Sequence, residues 1–281
     1  MCELLGMSAN VPTDICFSFT GLMQRGGKTG PHRDGWGITF YEGRGFRTFK
    51  DPAPSCQSQI AQLVQNYPIK SCAVISHIRQ ANRGAVNLEN THPFTRELWG
   101  RYWTFAHNGQ LVDYQRLAQG RHRPVGQTDS EAAFCWLLDK LEQRYPQIPD
   151  NMLSVFQYVS QLCDQLRDKG VFNMLLSDGD YLMSYCTNHL YWITRRAPFG
   201  HAALIDEDVE VNFQEETTPN DVVSVIATQP LTGNEIWQRM KPGEFNLFHL
   251  GERVATNVDQ LTAVAFAQAK PGNQAPTEPL G

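Results

Sequence analysis

The order of strand and helix signals along the chain is the feature that most restricts its fold. Short apolar or alternating runs, which are typical of strands, follow one another in groups, and amphipathic runs typical of helices lie between these groups. The clearest strand is residues 71–79, and the clearest helices are residues 132–141 and 151–166. A doubly wound parallel sheet would need one helix after each strand. The pattern therefore favours an α+β layered fold.

The remaining signals fit into a single domain. We predict further strands at residues 3–8, 37–41, 46–49, 101–106, 171–177, 181–185, 190–193 and 222–227 and within 243–250, and further helices near residues 17–22 and 58–64. Residues 11–14 should end the first strand, and Thr13 or Asp14 should cap the helix that follows. No repeat or linker divides the chain, so we expect one domain over residues 2–253. Residues 254–281 would then be a C-terminal extension with a loose, Pro/Gly-rich tail.

The composition excludes several classes of protein. Of the 281 residues, 41% are apolar and 19% are charged, which allows a substantial core. The net charge of -5, without a Lys/Arg cluster, argues against nucleic-acid binding, and no long apolar run predicts a membrane span. Seven cysteines without a C-x-x-C motif argue against a disulfide framework and a zinc finger. Because no secretory signal is visible either, we expect a cytoplasmic protein.

The cysteine after the initiator methionine is the first candidate for catalysis. If Met1 is removed, Cys2 carries both a thiol and a free α-amine. The pKa of such an amine, about 7.7–8.0, suits it to act as a base near neutral pH. Covalent catalysis needs a nucleophile and a base within hydrogen-bond reach. A cysteine at position 2 more often has no such role, so the assignment depends on the rest of the chain.

Polar residues at the ends of predicted elements are further candidates, and each also has a simpler explanation. Arg79 could form a surface ion pair, and Asn108 followed by Gly109 is a turn signal. Asp129 could stabilise a helix N-terminus, where Thr128 and the glutamate three residues later form a capping box. The histidines of the chain are more often structural than catalytic, and their spacing does not indicate a metal site.

Taken together and in this order, these residues resemble a class II glutamine amidotransferase, whose glutaminase domain has an N-terminal nucleophile. The matching positions are Cys2, 32–37 (HRDGWG), 77–79 (HIR), 90–93 (NTHP), 107–109 (HNG) and 128–131 (TDSE). Among the members of this family, the chain is most similar to the stand-alone YafJ-type proteins, over roughly residues 2–253. The resemblance implies a four-layer αββα sandwich of two antiparallel sheets between layers of helices, which agrees with the grouping of the elements.

The resemblance also implies the catalytic residues. Cys2 would attack the side-chain amide carbon of glutamine, form a thioester and release ammonia, while its own α-amine moves the proton through a water. The side-chain amide of Asn108 and the backbone N–H of Gly109 would form the oxyanion hole, where two fixed donors stabilise the developing negative charge. No metal or organic cofactor is expected.

Substrate binding is implied in the same way. Arg79 would bind the α-carboxylate of the substrate, for which its planar fork is suited, and Asp129 would bind the α-ammonium group. Asn82 and His92 complete the expected substrate-binding set. The expected ligand is therefore glutamine or a small γ-glutamyl molecule.

Two departures from the family pattern leave the reaction open. The synthase members have Trp and then Ala-Thr-His-Gly after the arginine, whereas this chain has residues 80–84 (QANRG), so a larger γ-glutamyl compound could replace free glutamine. No synthase domain is visible after residue 253. We therefore expect a separate synthase subunit or a plain γ-glutamyl hydrolase that transfers no ammonia. The rival hypotheses are a non-catalytic subunit that binds a partner, and another N-terminal-nucleophile hydrolase such as an acylase.

Overall fold

The computed structural model of the chain describes residues 2–82, 84–117, 120–213 and 218–257. The strands are β1 (Glu3–Thr13), β2 (Trp36–Glu42), β3 (Gly45–Asp51), β4 (Ser71–Ile78), β5 (Phe94–Leu98), β6 (Arg101–Leu111), β7 (Gly170–Ser177), β8 (Tyr181–Tyr185), β9 (Tyr191–Arg196), β10 (His201–Ala203), β11 (Glu210–Asn212), β12 (Val222–Ala227), β13 (Gln238–Arg239), β14 (Phe245–His249) and β15 (Glu252–Thr256). The helices are α1 (Cys16–Arg25), α2 (Gln59–Asn66), α3 (Asp129–Arg144) and α4 (Met152–Arg167).

Most of these strands form two antiparallel sheets. The first has seven strands in the order β13-β9-β12-β1-β4-β2-β3, and the second has six in the order β15-β14-β8-β7-β6-β5. A short pair, β10 and β11, stands apart from them. Every neighbouring pair of strands runs antiparallel. This agrees with the α+β class predicted from the grouping of the elements.

Three apolar clusters divide the molecule into layers. On the first sheet, α1 and α2 pack with side chains that include Phe19, Val64, Ile38 and Phe40. On the second sheet, α3 and α4 pack with a cluster that includes Phe105, Phe134, Val159 and Phe172. Between the sheets lies a third cluster that includes Leu4, Ile75, Ala106, Leu175 and Phe248. Because strand side chains alternate between faces, each sheet can bury one face against helices and the other against its partner sheet. The predicted four-layer αββα sandwich is confirmed.

The first strand is longer than predicted. β1 continues past residue 8 and ends at Thr13, inside the expected break at 11–14. Its ladder with β4 becomes irregular after Ser8 and resumes where Thr13 pairs with Ser71. An irregular stretch of this kind can hold Pro12, which has no N–H for the ladder. α1 begins without the expected side-chain cap, since its N-cap is Ile15, although Asp14 accepts a hydrogen bond from the Cys16 N–H at 3.1 Å.

The second sheet differs from the prediction along β6 and in the unpredicted strands β5 and β15. β6 runs on through Asn108 and Gly109, so these residues lie within a strand, where they pair with Asn173 and Phe172 of β7, and not in a turn. The sequence did not predict β5, which joins β6 through Trp99 and Gly100, both with positive φ. A tryptophan in the left-handed region is rare, so this hairpin lacks the usual turn signal.

The C-terminal prediction concerns residues that are mostly outside the described ranges. β15 pairs with β14 across the expected domain boundary at 253, and the tail predicted after it lies beyond residue 257, outside the described residues. Within the described residues, none of the helices is long and apolar enough to cross a membrane.

Candidate active site

The position of Cys2 follows from the register between β1 and β4. Glu3 pairs with Ile78 in this antiparallel ladder, so the residue before Glu3 meets the residues after Ile78. The backbone N–H of Gln80 accordingly donates to the Cys2 Sγ at 3.3 Å. The thiol is therefore fixed by the main chain at the end of β4, beside Arg79.

The surroundings of the thiol keep it protonated. Burial raises the pKa of Cys2 above its ordinary value, and the nearby Asp129 carboxylate adds to the rise. The Gln80 N–H and the Arg79 guanidinium oppose this effect without cancelling it. Because the thiolate is the reactive form of cysteine, a reaction at neutral pH needs a base close to Cys2.

Arg79 is a buried cation directly after β4, with 3% of its surface exposed. Its Nη1 donates to the Ala85 carbonyl at 2.9 Å, and its Nη2 donates to the Gly84 carbonyl at 3.3 Å. Burial lowers the pKa of Arg79, and the nearby carboxylates of Asp34 and Asp129 oppose this effect without cancelling it. The guanidinium thus lies in the thiol cavity within electrostatic range of Asp129.

Asp129 is fixed by the start of α3. Thr128 is the N-cap of this helix and accepts the Glu131 N–H at 3.2 Å. The Glu131 side chain does not return this bond, and instead accepts the Gly126 N–H at 2.7 Å. One oxygen of Asp129, Oδ2, accepts the Leu111 N–H at 2.7 Å. Its Oδ1 makes no hydrogen bond with the described residues, so the carboxylate keeps acceptor capacity toward the cavity.

Gly109 lies at a point where the backbone has no room for a side chain. A Cβ at this position would be 1.8 Å from the Val171 carbonyl oxygen and 2.7 Å from the His107 Nε2. Contacts this short do not occur between real atoms, so β6 and β7 can approach only with glycine here. The main chain of Gly109 therefore reaches the cavity that contains the thiol.

Asn108 is completely buried behind this cavity. Its Nδ2 lies 3.4 Å from the Thr228 Oγ1, a long hydrogen bond, and its Oδ1 has no partner among the described residues. The same Thr228 Oγ1 accepts the Leu4 N–H at 2.9 Å. The amide of Asn108 is therefore held only weakly by its neighbours.

Three buried histidines lie at the cavity: His92 and His107 line it, and His77 packs against His92. The rings of His77 and His92 are 4.1 Å apart, and burial lowers the pKa of both well below the ordinary value. His107 Nε2 lies 3.1 Å from the Val171 carbonyl and must donate to it, so in the neutral ring Nδ1 accepts from the Ser130 hydroxyl at 2.8 Å. Burial also lowers the pKa of His107, while the Asp129 carboxylate opposes this effect. Lowered pKa values favour the neutral imidazoles, which suits packing beside a buried arginine.

One cavity of about 40 Å³ brings most of the predicted site residues together. Cys2, Arg79, Asn82, His92, Gly109 and Asp129 all line it, and Asn108 is the one predicted residue that does not. Sequence reasoning missed Gln80 and Ser130, which also line this cavity. Gln80 contacts the thiol through its backbone N–H, so its residue type gives no indication of this contact. Ser130 could have been noticed only from its position in the first turn of α3.

A possible metal cluster elsewhere has a structural explanation. Among the described residues, His122, Asp139 and Glu142 lie close enough to hold an ion. The Asp139 carboxylate already accepts the Gly120 N–H, the His122 N–H and the His122 Nδ1. The cluster therefore anchors the segment before α3 to the middle of that helix.

The fold and this arrangement define the class of the protein. In this αββα sandwich, the thiol at the start of the central strand of the first sheet shares one cavity with a buried arginine and a buried aspartate. The model of the family of class II glutamine amidotransferases matches residues 1–271. The chain therefore belongs to the class II glutamine amidotransferases.

Individual relatives agree with this assignment. YafJ of Escherichia coli (strain K12) is 74% identical over 254 residues, which are 90% of this chain and 100% of the relative. A Haemophilus influenzae relative is 45% identical over 255 residues, 91% of this chain and 86% of the relative. The crystal structure of a predicted glutamine amidotransferase from Pseudomonas aeruginosa PA01 has a TM-score of 0.74 at 60% identity and covers 90% of this chain and 100% of that one.

A more distant structure shares the fold alone. The allosteric regulatory enzyme of purine biosynthesis has a TM-score of 0.55 at 16% identity, and the match covers 88% of this chain and 47% of that one.

Proposed function

We propose that this chain hydrolyses the γ-amide of glutamine or of a small γ-glutamyl compound through a thioester on Cys2. The observation that carries the proposal is the cavity in which the thiol meets a buried cation and a buried anion. An α-amino-acid head group has one carboxylate and one ammonium group. Arg79 and Asp129 match these two charges, and an acylase would need an apolar pocket in their place.

The attack forms one bond and breaks another. The Cys2 sulfur adds to the γ-carbonyl carbon, the C–N bond breaks, and ammonia leaves with the proton that the thiol gave up. Water then hydrolyses the thioester to a γ-carboxylate and restores the thiol. Because burial raises the pKa of Cys2, the thiol must pass its proton to a base, and the α-amine of Cys2 would be that base once Met1 is removed.

The oxyanion of the tetrahedral intermediate needs donors. Gly109 offers a main-chain N–H in the cavity lining, and Asn108 offers a side-chain amide next to it. If this amide turned by half a rotation, the Thr228 hydroxyl could donate to Oδ1, and Nδ2 would be left without a partner. The weak contact of 3.4 Å makes such a turn inexpensive. The freed Nδ2 would then be the second donor.

Ammonia transfer would require in addition a synthase that consumes the ammonia, whereas hydrolysis needs only the groups of this cavity and water. The seven free cysteines agree with a reducing compartment such as the cytoplasm. Asn82 and His92 line the same cavity, and they would contact the substrate beside the head group.

Intact-mass spectrometry before and after treatment with 6-diazo-5-oxo-L-norleucine tests the proposal. This glutamine mimic alkylates a thiol that reads the amino-acid head group. We expect loss of Met1 and one adduct, located on Cys2 by peptide mapping. Cys2→Ala should lose both the adduct and all turnover of L-glutamine while it keeps the melting temperature of the wild type.

Cys72→Ala is the matched control, because Cys72 is also a half-buried free thiol and lies in β4, away from the cavity lining. It should keep both the adduct and the activity. Turnover that survives in Cys2→Ala would refute the thioester mechanism. A retained Met1 without any adduct would favour the non-catalytic, partner-binding subunit. A processed Cys2 without an adduct would point to a γ-glutamyl substrate other than glutamine.

A further inference from the structure

The outer strands of the two sheets meet at one end of the sandwich. β3 is the last strand of the first sheet, and β5 is the last strand of the second. Phe46 of β3 contacts the ring of Tyr102 in β6 at 4.7 Å between centroids. Lys50 of β3 lies over the ring of Phe94 in β5, at 5.4 Å from its centroid. The two sheet edges therefore stand side by side and are in contact through these side chains.

A cavity of about 260 Å³ lies between these edges. Phe46, Thr48 and Lys50 line it from β3; they are alternate residues and so share one face of that strand. The hydroxyls of Thr48 and of Thr39 in β2 lie 2.8 Å apart, so both residues are on the same face of the β2–β3 hairpin. Tyr41, two residues after Thr39 and therefore on that face too, donates to the Thr104 hydroxyl of the second sheet at 2.8 Å. This face of the hairpin therefore meets the second sheet. β5, the loop residues before it, Val125 and Glu131 of α3 complete the lining.

Two of the lining residues have exposed apolar side chains. Leu88 is 54% exposed and Val125 is 77% exposed, and both line the cavity. The thiol cavity is separate: Pro93 lines the cavity between the sheet edges, whereas the preceding His92 lines the thiol cavity. Among the described residues, none lines both of them.

Lys50 is the one cation of this cavity without a carboxylate partner among the described residues. Arg96, the other cation, bonds Glu131 Oε1 at 2.5 Å. The Lys50 ammonium makes no hydrogen bond or ion pair with the described residues. It contacts the ring of Phe94 instead. Leaving a lysine half-buried in this way costs free energy, which an anion in the cavity would recover.

The pKa of Lys50 agrees with a cavity that lacks an anion beside this ammonium. The pKa of Lys50 is lowered to about 8, chiefly by burial; the nearby Glu131 opposes this effect, and Arg96 adds to it. A bound anion would favour the ammonium form and raise this pKa. The remaining carboxylate of the lining, Glu89, accepts a hydrogen bond from Asn87 at 2.6 Å.

We infer that the cavity between β3 and β5 is a second binding site, which takes a small organic anion. Its carboxylate or phosphate group would contact the Lys50 ammonium, and its apolar part would pack against Phe46, Leu88 and Val125. The inference does not depend on the reaction proposed for Cys2, since the two cavities share no lining residue among the described ones.

Calorimetric titration of the full chain with benzoate, phenyl phosphate, benzamide and inorganic phosphate tests this inference. The two organic anions should bind, and benzamide and inorganic phosphate, which lack the charge or the apolar part, should bind more weakly. Lys50→Met keeps an unbranched apolar side chain and removes the charge, so it should weaken benzoate binding about 10- to 100-fold, the usual effect of losing a charged hydrogen bond. Lys70→Met, at an exposed lysine outside this cavity, should bind benzoate like the wild type.

Trace acetylation of the wild type gives a measurement that does not need the variant. Mass spectrometry of peptides should show that benzoate slows acetylation of Lys50 and leaves Lys70 unaffected. The inference is overturned if neither organic anion binds, if Lys50→Met binds benzoate as tightly as the wild type, or if bound benzoate leaves the acetylation of Lys50 unchanged.

Discussion

The proposed role of Asp129 can be separated from its role in the fold by two substitutions. Its Oδ2 accepts the Leu111 N–H at 2.7 Å, and its Oδ1 makes no hydrogen bond with the described residues. Asp129→Asn keeps an oxygen for the Leu111 N–H and removes the negative charge. Asp129→Ala removes both. A difference between the two variants therefore reports on structure, and a defect that they share reports on charge.

The sizes of both effects follow from these contacts. A hydrogen bond to a charged group contributes about 1.5–3 kcal/mol, so loss of the bond to the substrate ammonium should raise KM about 10- to 150-fold at a nearly unchanged kcat. In Asp129→Ala, the N–H of the fully buried Leu111 also loses its acceptor, which costs about 1–3 kcal/mol of folding free energy. Each kcal/mol lowers the melting temperature by about 2–4 °C for a chain of this size.

The assay is release of glutamate from L-glutamine, coupled to glutamate dehydrogenase, together with thermal unfolding followed by circular dichroism. Asp113→Asn is the control, because Asp113 is exposed and its positive φ of 52° suits asparagine. This control should match the wild type in KM and in melting temperature.

The reasoning is refuted if Asp129→Asn keeps the KM of the wild type. Asp129 would then serve only the start of α3, where a carboxylate is favourable through the helix dipole. An equal loss of stability in both variants would show instead that the negative charge of Asp129 stabilises the fold and that its hydrogen bond from the Leu111 N–H does not.

Two further predictions concern Gly109 and Lys50. Gly109→Ala should lower kcat about 10²- to 10³-fold and reduce the unfolding free energy by about 1–3 kcal/mol in urea titrations, because its Cβ would overlap the Val171 carbonyl. The control is Gly200→Ala, where a Cβ meets nothing within 4 Å. A wild-type kcat in Gly109→Ala would contradict the role of this backbone. The pKa of Lys50 is lowered from 10.5 to about 8, so between these values the unfolded chain binds more protons, and this residue's contribution to stability rises with pH. The unfolding free energy of the wild type relative to Lys50→Met should therefore increase from about pH 7 to about pH 10, and a constant difference would contradict the burial of this ammonium.

The sequence by itself determined the layers and the types of element. Grouped strand runs favour strands that pack against helices and against each other, so the α+β layered class followed from hydrophobic patterning. The αββα sandwich followed from the resemblance to the class II glutamine amidotransferases. The capping signal at Thr128 and Glu131 located the start of α3, because N-cap chemistry is local to a few residues. The order of the motifs from Cys2 to Asp129 added the family, and with it the residues of the cavity.

Tertiary structure alone decided how these parts meet. The turn signal of Asn108 and Gly109 was overridden because pairing with β7 extends β6 through them, and ladder hydrogen bonds outweigh a two-residue preference. Likewise, the contact between Gln80 and the thiol depends on the register of β1 with β4. The cavity beside Lys50 depends on two sheet edges that are far apart in sequence. Such long-range pairings depend on the packing of the whole chain, so no local stretch of sequence contains them.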